Sequence, residues 1–282
     1  MDIIGEQKLF SFVPGANEAA SVSCGKVRLN EGVAVVSYLD LATRIAELQY
    51  KNRDFVLLFR GQAREYKNRK RYCSLKPSLF RPKNGTNPSS AMLTARFHRL
   101  RDAEHHLVNA YAAEGLPGLS RFKRQPILRW SILQHYEVCD TPLLDVTHSL
   151  RIAASFASDG AAGEAFIYVL GVPNLSGAVT ASAEAGIQIV RLSSVCPPSA
   201  LRPHIQEGYL LGEYPDMSGY DQKQHYEAHE IDFGRRLVAK FRFDPQTFWS
   251  NAAFPKVERD ALYPNALDPL FRLTQPIKQL YH

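Results

Sequence analysis

The pattern of hydrophobic and polar positions along this chain predicts short strands separated by helices. Five consecutive apolar residues at 55–59 are too few for an independent helix and predict a buried strand that leads into Arg60. Apolar runs at 165–170 and 237–243 predict two more strands, the second of them at a sheet edge. Residues 186–192 alternate in polarity, which is typical of a further strand.

Helical spacing of apolar residues marks three longer stretches. It covers residues 33–48, 92–113 and 150–158. Thr147 and Ser149 precede the last stretch, and the side chain of either can accept a hydrogen bond from the first turn of that helix. These stretches predict the main helices.

Single residues predict finer features of the chain. Ser131 can cap a short helix, and Gly208, between a polar and an apolar run, indicates a bulge or a close backbone approach. Pro264 and Pro269 leave room only for short helical turns near the C-terminus. Together the elements predict an α+β fold with helices on the flanks of a sheet. No repeat and no long linker divides the chain, so we expect one domain at 35–282 and an N-terminal extension at 1–34 packed on it.

Composition places the chain among ordinary globular proteins. Its 282 residues are 45% hydrophobic and 22% charged, which argues against disorder. The net charge of +6 permits an anionic partner without requiring one. Two basic stretches stand out, 64–71 with Tyr66 inside it and 121–129. Each is either a solvated loop or a surface that contacts phosphate groups of a ligand or a nucleic acid.

Cysteine usage and the N-terminus predict a soluble cytoplasmic protein. The four cysteines are far apart and form no CxxC motif, so we expect reduced thiols and neither a zinc site nor a disulfide framework. His98 and His105 share a predicted helix but lack acidic or cysteine partners at ligand spacing, and we predict no metal site. No stretch approaches the ~20 apolar residues that a membrane span needs. We therefore expect no membrane contact.

Polar groups beside buried elements are the candidates for chemistry. Arg60 follows an apolar strand, where a guanidinium group must be paired. Asp145 or Glu207 could pair with it, or its planar fork could bind a phosphate or a ribose. The tripeptide 134–136 presents an amide, an imidazole and a phenol, which serve either core packing or a cleft.

Absent motifs exclude several enzyme classes. The sequence contains no GxGxxG, GxxxxGK[ST], HExxH or GxSxG motif. The chain therefore lacks the signatures of Rossmann dehydrogenases, P-loop NTPases, zincin proteases and α/β-hydrolases.

Several segments together resemble a known family. The run Phe59-Arg60-Gly61-Gln62, followed by residues 74–79 and Arg81, resembles the FRG domain, which is named for its Phe-Arg-Gly tripeptide. The resemblance continues through the following positions: Gln134-His135-Tyr136, 143–147, 153–157, Arg202, Gln206, Gly208 and 262–264. It spans roughly residues 35–275, and the combination in this order is specific although each piece alone is weak.

The chain departs from this pattern after Tyr136. Many FRG domains have glycine at the position of Glu137, and then Pro-Thr-Arg before Leu-Leu-Asp. Residues 137–142 read EVCDTP instead, so that arginine is missing and the loop is one residue longer.

The FRG domain is in turn similar to the ADP-ribosyltransferase fold, a split mixed sheet that holds NAD in an extended cleft. This resemblance implies that Arg60 holds a ribose or a phosphate. It also implies that Thr147 and Ser149 shape the nicotinamide pocket, with Phe156 packed beneath it. The third motif falls on residue 206 or 207, whose side chain would accept a hydrogen bond from the ribose 2′-hydroxyl and stabilise an oxocarbenium-like transition state.

The resemblance therefore predicts a complete site. The predicted NAD-binding residues are Arg60, Gly61, Gln62, Gln134, His135, Tyr136, Asp145, Thr147, Ser149 and Phe156, and the catalytic candidates are Arg60, Thr147, Gln206 and Glu207. The leading hypothesis is an NAD-dependent ADP-ribosyltransferase or NAD glycohydrolase whose acceptor is a nucleic acid or a protein. The alternatives are a catalytically silent module that senses a nucleotide or nucleic acid, and a partner-binding accessory protein of a toxin or phage-defence system.

Overall fold

A computed structural model describes residues 8–82, 85–226, 231–265 and 267–281 of the chain. Its strands are β1 (Lys8–Ser11), β2 (Ala20–Ser23), β3 (Val33–Ala34), β4 (Val56–Gln62), β5 (Leu144–Thr147), β6 (Ala165–Val172), β7 (Val179–Ser182), β8 (Ile187–Arg191), β9 (Gly208–Glu213) and β10 (Leu237–Phe243). Its helices are α1 (Cys24–Leu29), α2 (Tyr38–Lys51), α3 (Ser90–Ala113), α4 (Leu119–Arg124), α5 (Pro126–His135), α6 (Leu150–Ser158), α7 (Leu192–Val195), α8 (Leu201–Ile205), α9 (Tyr220–Lys223), α10 (Pro245–Phe248), α11 (Arg259–Leu262) and α12 (Pro269–Gln279). Short 3₁₀ turns occupy Ser78–Phe80 and Phe233–Arg236. The α+β class predicted from the sequence is confirmed.

Two compact units make up the chain, and each is assembled from three separate segments. The first unit contains Met1–Leu75, Val146–Leu175 and Asp232–Leu262. The second contains Lys76–Asp145, Ser176–Ile231 and Tyr263–His282. The predicted N-terminal extension contributes β1, β2, α1 and β3 to the first unit, and its residues 1–7 lie outside the described ranges. Its boundary at residue 34 stays a prediction.

Strand pairing in the first unit joins β3, β10, β6, β4 and β5 in that order. The β10–β3 pair is parallel and the others are antiparallel, so the sheet is mixed. The prediction that 237–243 forms an edge strand is wrong, because Val33–Ala34 pairs with it. A strand of two residues is too short to show a period of two, and the helix predicted from residue 33 begins only at Tyr38.

Gly61 allows the backbone of α6 to lie directly on β4. A Cβ atom at this position would stand 2.8 Å from the carbonyl carbon of Ala153 and 2.8 Å from the nitrogen of Ala157, and closer still to the Ala153 carbonyl oxygen. The two alanines are fully buried. Glycine is needed here because the helix backbone leaves no space for a side chain. The predicted cap is also confirmed, since the Ser149 side chain accepts a hydrogen bond at the start of α6.

Asp232 is a buried carboxylate that joins separate parts of the first unit. Its Oδ2 accepts hydrogen bonds from Arg28 Nη2 at 2.8 Å and from Ser74 Oγ at 2.9 Å, and its Oδ1 accepts one from the N–H of Leu75 at 2.7 Å. Arg28 also donates through Nε and Nη2 to the carbonyl of Cys73, at 3.1 and 3.0 Å. Because both charges are paired and hydrogen-bonded, their burial is compensated. Residues 73–75 are thereby fixed to α1 and to the turn before β10.

Helices form most of the second unit. The long helix α3 packs against α4, α5 and α12, and β9, β8 and β7 form an antiparallel ladder. Aliphatic and aromatic side chains fill the core of this unit, in which the rings of Tyr111 and Phe122 stack with centroids 4.3 Å apart. At Gly208 a Cβ would stand 2.7 Å from Cδ1 of the Leu192 side chain, so the near neighbour of this glycine is a side chain and the predicted bulge or close backbone approach stays a prediction. Among the helices of the described ranges, none is both long and apolar enough to cross a membrane.

Asp268 is a buried carboxylate that joins separate parts of the second unit. Its Oδ2 accepts hydrogen bonds from the Tyr136 hydroxyl and from the Arg202 backbone N–H, both at 2.8 Å, and its Oδ1 caps α12 by accepting from the N–H of Leu270 at 2.9 Å. The Arg202 guanidinium lies over the rings of Tyr136 and Tyr263, 5.5 and 4.7 Å from their centroids. The end of α5, the start of α8 and the start of α12 therefore meet at one carboxylate.

Two helix predictions are wrong at their ends. Ser131 does not cap a helix: α5 begins at Pro126, and the Ser131 hydroxyl donates to the carbonyl of Ile127 at 2.7 Å inside the helix. A proline in the first turn was the stronger signal, because its missing N–H has no partner to lose there. The C-terminal turns are also longer than expected, since Pro269 occupies the first turn of the 11-residue helix α12.

The Gly61→Ala substitution tests the approach of α6 to β4. We expect it to lower the free energy of unfolding by about 3 kcal/mol, because the new methyl group overlaps the backbone of α6. Urea denaturation measures the loss. Gly163→Ala in the same unit is the matched control, since nothing lies within 4 Å of its Cβ position; a loss of equal size there would contradict the explanation.

The Tyr136→Phe substitution tests the Asp268 network. Removal of the hydroxyl leaves Oδ2 with one donor fewer in a buried setting, and we expect a loss of about 1–3 kcal/mol in the free energy of unfolding. Thermal and urea unfolding of Tyr50→Phe, which alters an exposed phenol, gives the baseline. Equal stability of both variants would show that the hydrogen bond contributes nothing.

Candidate functional site

Arg60 belongs to a row of polar side chains across the sheet of the first unit. Residues that stand opposite each other in antiparallel strands project to the same face. Arg60 is opposite Tyr168, which in turn is opposite Lys240. Phe59 and Gly61 project to the other face, against which α6 packs. The arginine of the Phe-Arg-Gly tripeptide is thus on the face away from α6.

Lys240 is a buried cation held by two acceptors. Its side chain is fully buried, and Nζ donates to the carbonyl of Asn30 and to the carboxylate of Glu65. The second oxygen of Glu65 lies 3.0 Å from Nζ of the exposed Lys67. The burial of this ammonium group is therefore compensated by a carboxylate that is itself shared with a surface cation.

Tyr168 stands between Arg60 and Lys240 in this row of residues and carries a neutral hydroxyl group. Its side chain is buried, and its hydroxyl oxygen has no hydrogen-bond partner among the described residues. Burial raises the pKa of this phenol above its ordinary value, and the nearby Cys73 and Glu65 raise the pKa further. The hydroxyl group consequently stays protonated at neutral pH.

Gln62 lies two residues after Arg60 in β4 and therefore projects to the same face of the sheet. It stands opposite Phe166, and its Oε1 is buried without a hydrogen-bond donor among the described residues. A carbonyl oxygen in that state suits a hydroxyl or amide donor of a ligand. The Arg60 side chain, half-buried on the same face, supplies the N–H groups of a planar fork that suits a phosphate. Residues 60–62 thus offer complementary donors and an acceptor.

Thr147, Ser149 and Phe156 are placed by the start of α6 in the first unit. Thr147 pairs with Phe59, and its Oγ1 accepts a hydrogen bond from the N–H of Ser149 at 3.0 Å. Ser149 Oγ accepts from the N–H of Ile152 at 3.5 Å and caps the helix. Phe156 is half-buried in α6. Because Thr147 is opposite Phe59, it projects to the same face of the sheet as Phe59, whereas Arg60 projects to the other face. The catalytic role of Thr147 stays a prediction.

In the second unit, Gln134, His135 and Asp145 form a hydrogen-bonded group. Gln134 Nε2 donates to Asp145 Oδ2 at 2.6 Å, and its Oε1 accepts from the Thr141 hydroxyl. Ser78 Oγ lies 3.4 Å from the same oxygen and accepts from the N–H of Thr141 at 3.0 Å. The loop before β5 is therefore tied to the end of α5 through one amide side chain.

His135 is buried beside the same carboxylate. Its Nδ1 lies 3.7 Å from Asp145 Oδ1, while Nε2 has no hydrogen-bond partner among the described residues. Desolvation lowers the pKa of His135 below its ordinary value, and Asp145 only partly opposes this effect. The imidazole is therefore neutral at pH 7, with its Cε1 edge against Gly208, where a Cβ would stand 3.5 Å away.

Tyr136 and Glu137 directly follow α5, and their side chains contact Asp268 and Arg202, respectively. Burial, and next the charge of Asp268, raise the pKa of Tyr136, which keeps its hydroxyl as a donor to Asp268. Glu137 has a φ of +56°, a left-handed conformation that favours glycine. Its Oε1 lies 3.2 Å from Nη2 of Arg202. The departure from the FRG pattern at this position thus places a carboxylate beside a buried guanidinium group.

Gln206 and Glu207 lie between α8 and β9 in the second unit. Gln206 is 6% exposed, whereas Glu207 is exposed to solvent. Glu207 has a φ of +45°, and its N–H donates to the carbonyl of His204 at 3.2 Å. A non-glycine residue in this conformation is strained, and such strain clusters at functional sites.

Sequence reasoning missed Tyr168, Lys240 and Glu65 in the first unit, and Asp268 in the second. A polar residue inside an apolar strand was the available signal for the first two. The structure brings Arg60 and Gln62 together with Tyr168 in one unit, and Gln134 together with His135 and Asp145 in the other. Among the described residues, no group of three or more His, Cys, Asp or Glu side chains is placed to hold a metal ion.

Comparison with known proteins identifies one family. No curated protein and no solved structure matches the chain. The model of the FRG domain family matches residues 56–165, a range that begins at β4 and ends at the first residue of β6. It includes Arg60-Gly61-Gln62, the group around Asp145 and the α6 helix. Residues 56–165 therefore match the FRG domain family, in agreement with the resemblance of the Phe-Arg-Gly segment.

Proposed function

We propose that this chain is an NAD-dependent ADP-ribosyltransferase, or an NAD glycohydrolase if water is the acceptor. The observation that carries the proposal is the setting of Arg60-Gly61-Gln62, where a rigid strand presents a guanidinium fork and a buried acceptor oxygen on one face. A diphosphate fits the fork, and a ribose hydroxyl or a carboxamide fits the acceptor. The FRG match supports this assignment, since the FRG domain resembles ADP-ribosyltransferases.

Bound NAD would supply a ribose carbon from which nicotinamide leaves. Arg60 would donate hydrogen bonds to its phosphate or ribose oxygens and orient it. Gln62 would accept a hydrogen bond from a hydroxyl or amide group through its buried Oε1. The backbone of α6 against Gly61 fixes the strand from which both side chains project, which limits the backbone movement needed on binding.

In the second unit, we assign the third-motif role to Glu207 rather than to Gln206. A carboxylate stabilises developing positive charge on a ribose better than a neutral amide does. Glu207 is exposed and in a strained left-handed conformation, whereas Gln206 is 6% exposed. Strain and access both favour Glu207 as the residue that contacts a substrate.

A second function, binding without turnover, is favoured by one observation. The buried residue of this pair is a neutral amide, Gln206, and a site that relies on it would hold a ribose hydroxyl without stabilising positive charge. The chain would then act as a sensor of NAD or ADP-ribose.

The Arg60→Ala substitution tests the enzyme proposal. Nicotinamide release from NAD by the purified chain, with and without added RNA, DNA or protein, is the measurement. We expect kcat/KM to fall by about 10–100-fold because a charge-assisted contact is lost. Arg60→Lys should retain the charge without the fork and give an intermediate value.

Arg53→Ala is the matched control, since it removes an exposed arginine of the same unit. Its kcat/KM should equal that of the wild type, and thermal unfolding should show all variants folded. Release that survives in Arg60→Ala would remove this residue from the site. The absence of release in the wild type, with NAD or ADP-ribose bound in calorimetry, would replace the enzyme proposal by the binding function.

The Glu207→Gln substitution tests the third-motif assignment. We expect kcat to fall by about 100-fold with little change in KM, because the charge acts in the transition state. Glu184→Gln, an exposed glutamate of the same unit, should leave kcat unchanged. If Gln206→Ala abolishes release while Glu207→Gln retains it, the role belongs to Gln206.

A further inference from the structure

The basic stretch of the first unit is a closed hairpin, which we call the basic hairpin (residues 64–74). The N–H of Asn68 donates to the carbonyl of Tyr72 at 2.9 Å, and the N–H of Ser74 donates to the carbonyl of Tyr66 at 2.9 Å. The two sides of the hairpin are thus joined by hydrogen bonds, so this exposed segment has a defined backbone conformation.

Asn68 also shapes the tip of the basic hairpin. Its Oδ1 accepts hydrogen bonds from the N–H groups of Lys70 and Tyr72, at 3.0 and 3.1 Å. Arg71 has a φ of +64° and completes the turn. The backbone therefore holds the side chains at 69–71 on a defined turn, which lowers the entropy that they lose when they bind a partner.

The base of the basic hairpin is anchored in the core of the same unit. Arg28 donates twice to the carbonyl of Cys73, and Ser74 donates to the buried Asp232. On the other side, Glu65 binds the buried Lys240. The base of the charged turn is therefore fixed to the core of the unit on both sides.

Charge on the basic hairpin is almost all of one sign. Its exposed cations are Arg64, Lys67, Arg69, Lys70 and Arg71. The one acidic residue within it, Glu65, has a side chain only 10% exposed and is bound by Lys240 and Lys67. The cations at the tip repel one another, and a polyanion relieves that repulsion.

An aromatic platform lies beside these cations. The Arg64 guanidinium stands 5.0 Å from the ring centroid of Tyr66, and its Nε donates to the Tyr66 hydroxyl at 2.9 Å. Tyr66 is nevertheless 47% exposed. A ring and a guanidinium plane held together offer stacking surfaces that suit an unpaired base.

We propose that the basic hairpin binds single-stranded nucleic acid, with phosphates on the cations at 69–71 and a base stacked at Arg64 and Tyr66. The aromatic platform favours this partner over an acidic protein. The absence of any aliphatic side chain at 64–72 disfavours insertion into a lipid surface. The proposal goes beyond NAD chemistry and holds whether or not the chain turns NAD over.

The test compares two variants that remove the same charge from the full-length chain. One carries Arg69→Gln, Lys70→Gln and Arg71→Asn, where asparagine tolerates the left-handed turn. The other carries Arg121→Gln, Lys123→Gln and Arg124→Gln on α4, the exposed basic positions of the second stretch. Fluorescence anisotropy measures the affinity for labelled oligo(dT) and oligo(U) of about 20 nucleotides over a range of salt concentrations, without NAD.

We expect the hairpin variant to bind at least about tenfold more weakly near physiological salt, and its salt slope to be smaller by about 2, because three contacts to single-strand phosphates are lost. Tyr66→Ala should weaken binding by about fivefold or more without changing the salt slope. The α4 variant should bind within about twofold of the wild type. Comparison of the affinities for oligo(dT) and oligo(U) shows whether the hairpin prefers single-stranded DNA or single-stranded RNA.

Three outcomes would overturn the proposal. The first is no binding by the wild type, and the second is equal weakening in both charge variants. The third is tighter binding of polyglutamate or of phosphatidylserine vesicles than of either oligonucleotide. Nicotinamide release by the hairpin variant, measured without nucleic acid, should equal that of the wild type, so that a failure of this proposal is distinct from a failure of the enzyme proposal. Far-UV circular dichroism and thermal unfolding establish that each variant is folded.

Discussion

The contact between the backbones of β4 and α6 at Gly61 is the constraint on which the first unit depends. It leaves no room for a side chain, so the strand and the helix approach as closely as two backbones can. Because side chains alternate along a strand, this contact also decides where the flanking residues point. Arg60 and Gln62 are forced to the opposite face, and the start of α6 is held beside Thr147. Gly61 has no reactive or hydrogen-bonding side chain, but it determines to which face the polar side chains of Arg60 and Gln62 project.

Two buried carboxylates organise the two units in different ways. Asp232 neutralises a buried arginine and fixes the chain at 73–75. Asp268 accepts hydrogen bonds from a phenol and from backbone N–H groups, with the Arg202 guanidinium stacked on the neighbouring rings. In both cases the carboxylate accepts several hydrogen bonds, which is what makes its burial tolerable. Each carboxylate links segments that are distant in sequence.

The sequence predicted the longer elements and the candidate arginine because these depend on local patterns. The strands at β4, β6 and β10 follow from apolar runs, and the cap at Ser149 follows from hydrogen-bonding capacity. What it could not supply is register. Tyr168 and Lys240 are polar residues in apolar runs, and only strand pairing places them in one row with Arg60. Similarly, nothing local to Pro269 reveals that Asp268 would bind a tyrosine 132 residues away.

The interleaved order of the segments has a consequence for synthesis of the protein on the ribosome. Each unit combines early, middle and late parts of the chain, and Arg28 meets Asp232 across 204 residues. Neither unit can close its core until most of the chain has been made, so α1 and β3 emerge long before β10, on which both of them pack. Their apolar faces are open to wrong contacts during that interval, and folding rates fall as contacts become more distant in sequence. For the same reason, no single truncation yields either unit alone, and a nascent chain that stops before residue 232 lacks the carboxylate that its first helix needs.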